Sequence, residues 1–127
     1  MKKKITIRFP AQVLRPVWHY LKREEKKLVK RKKELKKEDP FSQPERANDN
    51  AAPDQEAAEQ FGHARVSALV NEINKNLIRV RKSLTRIKIG KYGLCRVCKK
   101  MINTERLAAD PTAERCLECE KKLSAKS

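Results

Sequence analysis

The chain has 127 residues, of which 32 are Lys or Arg and 16 are Asp or Glu, giving a formal net charge of +16. Apolar residues make up 39% of the sequence, below the roughly 45–50% of an ordinary compact globule, and three glycines are too few for the many turns of an all-β fold. No segment has the ~20 apolar residues of a membrane span or the ~7–15-residue apolar run of a signal peptide. We therefore expect a cytoplasmic protein with no membrane partner.

A first helix is predicted after a basic N-terminal segment at residues 1–10. Leucines recur every seven residues in residues 11–38, and no glycine interrupts this stretch. A seven-residue apolar repeat is typical of one seam of a coiled coil. Its members are Leu14, Leu21, Leu28 and Leu35.

An acidic break follows this helix. Pro40 and Pro44 interrupt the helical pattern, because the residue before a proline is pushed toward extended backbone. The Asn-Asp-Asn sequence at residues 48–50 is typical of turns. Residues 39–60 carry six acidic residues and only one basic residue, so we predict an acidic tip over residues 39–53.

A second helix is predicted over residues 54–88. Two interleaved seven-residue series cover it: Val66, Ile73, Val80 and Ile87 form one, and Val70, Leu77 and Leu84 form the other. Such series are the a and d positions of a coiled coil. The sequence thus predicts an all-α-dominated fold in which residues 11–89 form an antiparallel two-helix coiled-coil hairpin.

The hairpin also has a predicted register. If Glu38, at the end of the first helix, lies opposite Pro53, just before the second, the apolar repeats of the two antiparallel helices match. Leu28 then lies beside His63, and Trp18 lies near Ile73.

A small C-terminal module is predicted at residues 90–122, followed by a tail at residues 123–127. Two C-x-x-C pairs, separated by 17 residues, have a spacing typical of zinc sites: Cys95, Cys98, Cys116 and Cys119. A redox dithiol or two disulfides are the alternatives, but no βαβ setting for a redox motif is visible and cytosolic thiols stay reduced. Four cysteines would close the coordination shell of one structural Zn²⁺, leaving no position for a catalytic water.

The C-terminal third resembles the C4-type zinc finger of the DksA/TraR family of bacterial transcription regulators. The resemblance rests on Tyr92-Gly93-Leu-Cys95-Arg-Val-Cys98, on Ile102, and on the run from Arg106-Leu107 through Asp110-Pro111-Thr112-Ala113 to Cys116-Leu-Glu-Cys119. The run from Ser83 to Gly90 is similar to that family's junction between helix and finger. Over residues 11–82 the likeness is one of architecture.

The resemblance implies a function. Proteins of this family bind RNA polymerase, not promoter DNA, and insert the tip of a coiled coil through its secondary channel. Their tip carboxylates act near the catalytic centre, and in the best-known members the effect is coupled to ppGpp. It implies for this chain a transcription regulator that is not an enzyme, with RNA polymerase as partner, ppGpp as candidate ligand, and no requirement for direct DNA or RNA binding.

The chain departs from the family pattern at two places. Lys99 follows the second cysteine, where the family often has glycine, and the tip lacks the Asp-x-x-Asp-x-Ala spacing. Asp49, Asp54 and Glu56 are therefore the candidate partner-binding residues by position. They have a purely structural alternative as well, because acidic residues favour turns and the first turn of a helix.

A second function is open on the residues alone. A zinc protein of this charge could use its basic helical faces to bind RNA or DNA, since each neutralised phosphate releases counterions. The six aromatic residues are not interleaved with basic ones as a base-stacking platform would require. Nothing in the sequence pairs a nucleophile with a base, so no enzymatic activity is expected.

Overall fold

The computed structural model of the protein describes residues 9–42 and 53–126. Its helices are α1 (Ala11–Glu38), α2 (Pro53–Lys88), α3 (Thr104–Ala109) and α4 (Leu117–Lys126), with a 3₁₀ turn at Pro40–Ser42. Within the described residues, the β pairing is a single isolated bridge between Leu94 and Met101. The predicted helical fold class is confirmed, and the bounds of α1 and α2 agree with the predicted helices to within one residue.

The chain divides into two compact units, which we describe separately. The hairpin unit is Glu25–Ile78, and the finger unit combines Met1–Glu24 with Arg79–Ser127. Both α1 and α2 contribute residues to each unit. Most of the predicted acidic tip, Asp49 included, falls outside the described residues.

The core of the hairpin unit consists of the residues that the seven-residue repeats predict. Leu35 is 1% exposed, and it packs in one cluster with Val66, Ile73 and Leu77. Leu28 packs against this cluster while remaining half-buried. Charged residues occupy most other positions of α1 in this unit, and the other positions of α2 are mostly exposed, so the seam supplies the apolar burial that makes these helices stable in water.

The register of the hairpin differs from the predicted one. The His63 imidazole Nδ1 lies 2.8 Å from Asp39 Oδ2, and the imidazole stacks on the Phe41 ring with 4.3 Å between centroids. A residue just beyond the end of α1 therefore faces His63, whereas the prediction places Leu28 there. The predicted register is wrong by about three helical turns.

Close packing of two residues explains why this register is chosen. A Cβ atom on Gly62 would lie 2.8 Å from Pro40 Cγ, so the absent side chain lets the 3₁₀ turn approach α2. Apolar residues with a mean spacing of about 3.5 still match after a shift of ten or eleven residues. The apolar pattern alone therefore cannot fix the register, and the contacts of Pro40 and Asp39 with α2 do so.

The finger unit has its own core. Leu21, Val80, Ser83 and Leu84 are buried where α1 and α2 pass through it. Trp18 is half-buried, and the ammonium groups of Lys22 and Lys88 each lie 5.7 Å from its ring centroid. The predicted position of Trp18 near Ile73 is wrong. The difference in register places Trp18 beside the end of α2, near Lys88.

None of the helices in the described part of the chain combines the length and the apolar character that a membrane crossing requires.

The hairpin core predicts a contrast between two identical substitutions. Leu35→Ala removes a side chain that is 1% exposed, and we expect the free energy of unfolding to fall by about 2–5 kcal/mol through lost burial and a residual cavity. Leu69→Ala, at a position 37% exposed in α2, should cost less than about 1 kcal/mol. Urea unfolding followed by circular dichroism measures both. Equal losses would contradict the seam described here.

Candidate metal centre

The junction between α2 and the finger is a helix stop built around Gly90. Gly90 has a φ of 76°, and its N–H donates to Ile87 O at 3.2 Å while the Lys91 N–H donates to Arg86 O at 2.8 Å. This pair of bonds is the Schellman motif, which satisfies the last carbonyls of a helix and needs a left-handed residue that glycine provides. The Arg86 guanidinium also donates to the carbonyls of Lys91 and Leu94. The chain therefore leaves α2 in one defined direction, toward the first cysteine pair.

The first cysteine pair lies in a tight turn. The Cys95 N–H donates to Lys100 O at 2.8 Å, and the Ile102 N–H donates to Gly93 O at 2.7 Å, so the chain doubles back on itself. Inside this turn the Lys99 N–H donates to Cys95 O at 3.0 Å. Gly93 has a φ of 84°, and a Cβ atom there would clash with the Phe9 ring, which explains why this position is glycine.

Lys99 has a left-handed backbone, with a φ of 66°, and no other non-glycine residue in the described part of the chain has a positive φ. Its ammonium group donates to Arg96 O at 3.1 Å. The turn thus has its left-handed geometry at a lysine, with the conformational cost that a Cβ atom brings.

The second cysteine pair opens α4. Cys116 O accepts the N–H of Glu120 at 3.0 Å, so Cys116 stands at the N-terminal cap of this helix and Cys119 in its first turn.

These elements bring all four predicted cysteines together. Their Sγ atoms lie within 4.8 Å of one another, and Cys98 Sγ is 3.7 Å from Cys116 Sγ. A regular tetrahedron with Zn–S bonds of about 2.3 Å has S···S edges of about 3.8 Å. None of the four forms a disulfide. The donors therefore fit one structural zinc ion, which four cysteines would enclose completely.

The protein around the sulfurs prepares the site for a cation. Burial opposes ionisation of Cys95, but the backbone N–H groups of Cys98, Cys116 and Val97 outweigh it and lower the Cys95 pKa to about 6. Hydrogen bonding with Cys116, reinforced by burial, raises the pKa of Cys119 to about 12. Zinc binds the thiolate form of cysteine, so zinc binding must release the proton that the Cys119 thiol carries.

Hydrogen bonds outside the cluster hold its two halves together. The Arg96 N–H donates to Glu114 O at 2.8 Å, and the Arg96 guanidinium lies 3.3 Å from the Glu114 carboxylate. Arg106 Nε donates to Arg115 O at 3.1 Å. The cluster would carry a charge of −2 with zinc bound. Three basic residues place positive charge near it: Arg96, Lys99 and Arg115.

Two supporting interactions were not predicted from the sequence. The Tyr92 hydroxyl donates to Pro111 O at 2.7 Å, and burial, with the nearby Asp110 carboxylate, raises the pKa of Tyr92 to about 12, so the phenol stays a donor. Asp110 accepts the N–H and hydroxyl of Thr112 and pairs with Arg79 at 2.9 Å. The Asp-Pro-Thr sequence is a turn signal that could have indicated the second interaction.

The structure describes two of the three predicted tip carboxylates. Asp54 and Glu56 are exposed in the first turn of α2, and Asp49 lies outside the described residues. A fourth acidic residue of the tip segment, Asp39, has a structural role, because it accepts the Phe41 N–H at 2.9 Å and contacts His63.

The chain is similar to known proteins in two ways. Residues 90–125 match the family described as the prokaryotic dksA/traR C4-type zinc finger. The whole fold matches the solved structure of transcription factor DksA2 from Pseudomonas aeruginosa, with a TM-score of 0.73, 20% identity, and coverage of 98% of this chain and 92% of that one. None of the curated proteins matches the chain.

Residues 90–125 thus match a DksA/TraR zinc finger in sequence. The resemblance stated from the sequence is confirmed, and so is the expectation of a single structural zinc ion, because a C4 finger family and four adjacent sulfurs agree. The DksA2 match shows the fold over nearly the whole chain, including the hairpin that the family match does not reach.

Zinc loading should follow the four sulfurs. We expect one zinc ion per chain in the wild type, and loss of most of it in Cys119→Ser, because three thiolates bind the metal far less tightly than four. Asp110→Asn is the control: it alters the finger without touching a sulfur and should retain the zinc. A colorimetric zinc assay after thiol modification measures the stoichiometry. Equal zinc content in Cys119→Ser and the wild type would contradict the site.

The left-handed turn predicts an unusual stabilisation by glycine. Lys99→Gly should raise the unfolding free energy by about 1 kcal/mol, since it removes the strain of a Cβ atom at positive φ. Lys100→Gly is the matched control. It should lower that free energy by about 0.5–1 kcal/mol, because glycine only adds entropy to the unfolded chain there. Urea unfolding at fixed zinc concentration distinguishes the two, and destabilisation by both would refute the argument.

Proposed function

We propose that this protein regulates transcription by binding RNA polymerase and inserting the acidic end of its hairpin through the secondary channel. The observation that carries the proposal is the combination of a DksA/TraR zinc finger at residues 90–125 with a fold that matches DksA2, a transcription factor, over 98% of the chain. The proposal needs no chemical reaction by the chain itself, and the zinc has a structural role in it.

Charge along the chain supports the part assigned to the tip. Asp54 and Glu56 are exposed at the start of α2, in a chain whose formal net charge is +16. Carboxylates presented in this way can approach a bound Mg²⁺ or a site lined by Arg and Lys. Their structural alternative is to complement the helix dipole, worth about 0.3–1 kcal/mol each, and the experiment below has to separate the two roles.

The structure also supports a defined base for this acidic segment. Asp39 directly follows α1 and contacts His63, while Phe41 stacks on the same imidazole. Gly62 lets Pro40 pack against α2. The residues on both sides of the acidic segment are thus held together, as a tip that works by position requires. The resemblance to the DksA/TraR family also leads us to propose ppGpp as a candidate effector.

The test compares two variants that change charge equally. The tip variant is Asp49→Asn/Asp54→Asn/Glu56→Gln. The control variant is Glu72→Gln/Glu105→Gln/Glu118→Gln, three exposed acidic residues of which Glu105 and Glu118 also stand in the first turns of helices. Both variants gain three units of positive charge, and both lose carboxylates that favour a helix N-terminus.

We expect both variants and the wild type to bind RNA polymerase core with similar affinity at ~150 mM salt, where distant surface charges are largely screened. In transcription in vitro, the tip variant should lose the regulatory effect by about tenfold or more, equivalent to about 1.4 kcal/mol, and the control should keep it. An equal loss of the regulatory effect in both variants would mean that net charge, and not the position of the tip carboxylates, causes the effect. Absence of binding to polymerase, with salt-sensitive binding to nucleic acid instead, would overturn the proposal.

A further inference from the structure

One face of α1 in the hairpin unit carries a continuous row of lysines. Lys26, Lys30, Lys33 and Lys37 follow one another at spacings of four, three and four residues, and all four are exposed. Residues three and four apart on a helix are neighbours on its surface. We call this row the lysine stripe. It spans eleven residue steps, or about 16 Å of helix.

The stripe faces away from the hairpin core. Lys26 and Lys30 each stand two residues from Leu28, and Lys33 and Lys37 each stand two residues from Leu35, the residue that is 1% exposed. Two residues correspond to about 200° around a helix. The lysines thus lie opposite the seam that pairs α1 with α2, on a surface open to a partner.

The stripe is unfavourable for the hairpin itself. Lysines at these spacings repel one another and weaken a helix. Glu34 is the acidic residue of this stretch that borders the stripe, while Glu38 pairs with Arg31 at 3.7 Å. Alternating Glu and Lys would have made an equally solvated surface without this repulsion, so solvation does not explain the row.

We infer that the lysine stripe binds the phosphate backbone of double-stranded nucleic acid. Duplex DNA presents one phosphate per ~1.7 Å of axis, or roughly ten phosphates along the length of the stripe. Lysines bind phosphates as point charges, and each neutralised phosphate releases counterions. The stripe and the helix surface that it covers therefore complement a regular array of anions.

The composition of the stripe selects the duplex backbone among nucleic-acid targets. It contains no aromatic residue on which unpaired bases could stack, the usual basis of single-strand binding. It also contains no Arg, Asn or Gln, which read base edges through paired hydrogen bonds. Binding should thus be independent of sequence and weaker for single strands. This inference does not rest on the proposed function, because it requires neither polymerase nor the tip carboxylates.

Two triple variants test the inference in the zinc-loaded, full-length protein. The stripe variant is Lys26→Gln/Lys30→Gln/Lys33→Gln. The matched control is Lys27→Gln/Arg31→Gln/Lys36→Gln, which removes three charges from other faces of the same stretch of α1. Glutamine is close to lysine in helix propensity, and circular dichroism verifies that both variants keep their helix content. A third variant, Lys26→Arg/Lys30→Arg/Lys33→Arg, restores the charge.

The readout is fluorescence anisotropy with a labelled 20-base-pair DNA duplex of mixed sequence, titrated between about 50 and 200 mM salt. Each phosphate contact contributes about 0.9 to the slope of log affinity against log salt concentration. The stripe variant lacks three lysines, so the magnitude of its slope should fall by roughly 2–3. The control should lose less than half as much, the arginine variant should bind like the wild type, and a 20-nucleotide single strand should bind more weakly than the duplex.

Several outcomes would overturn the inference. Equal losses in the stripe variant and the control would make binding a property of net charge. Tighter binding of the single strand than of the duplex would show that the stripe does not recognise the duplex backbone. If the stripe variant kept its duplex affinity but bound RNA polymerase core more weakly, the stripe would recognise an acidic protein surface instead.

Discussion

The finger at residues 90–125 depends on four sulfur atoms that fit around one zinc ion. The buried cluster beside the sulfurs contains three large apolar side chains, Tyr92, Ile102 and Leu107, with Cys95 and Cys119, too few by themselves to offset the entropy of ordering so short a segment. Zinc coordination provides the missing free energy, because folding and metal binding are coupled in such modules. Leu14 of α1 and Ile87 of α2 pack against the same cluster. The metal would therefore also stabilise the parts of α1 and α2 that belong to the finger unit.

The sequence predicted what depends on local chemistry. Both hairpin helices were located to within one residue, because prolines and Gly90 interrupt the pattern where α1 ends, where α2 begins and where α2 ends. The zinc site was found from cysteine spacing, since a C-x-x-C turn brings two sulfurs together without help from the rest of the chain. Each of these signals determines the backbone of a few neighbouring residues and does not depend on contacts with distant parts of the chain.

What the sequence did not predict depends on contacts between distant residues. The register was wrong because apolar repeats match at several offsets, whereas Pro40 against Gly62 and Asp39 with His63 select one. The short helices α3 and α4 lack a clear apolar period. Local contacts mark their starts instead: Asn103 caps α3 by accepting the Glu105 N–H at 2.8 Å, and Cys116 O accepts the Glu120 N–H of α4 at 3.0 Å. An apolar repeat does not include such capping contacts.

The distribution of charge links stability with function. A net charge of +16 opposes a compact state through self-repulsion, and exposed pairs such as Arg31 with Glu38 offset little of it. The fold tolerates the charge because the seam around Leu35 and the zinc cluster do not depend on surface electrostatics. The exposed lysines on the outer face of α1 and the exposed carboxylates at the start of α2 contribute to neither core. The two proposed recognition surfaces therefore use residues on which stability does not depend.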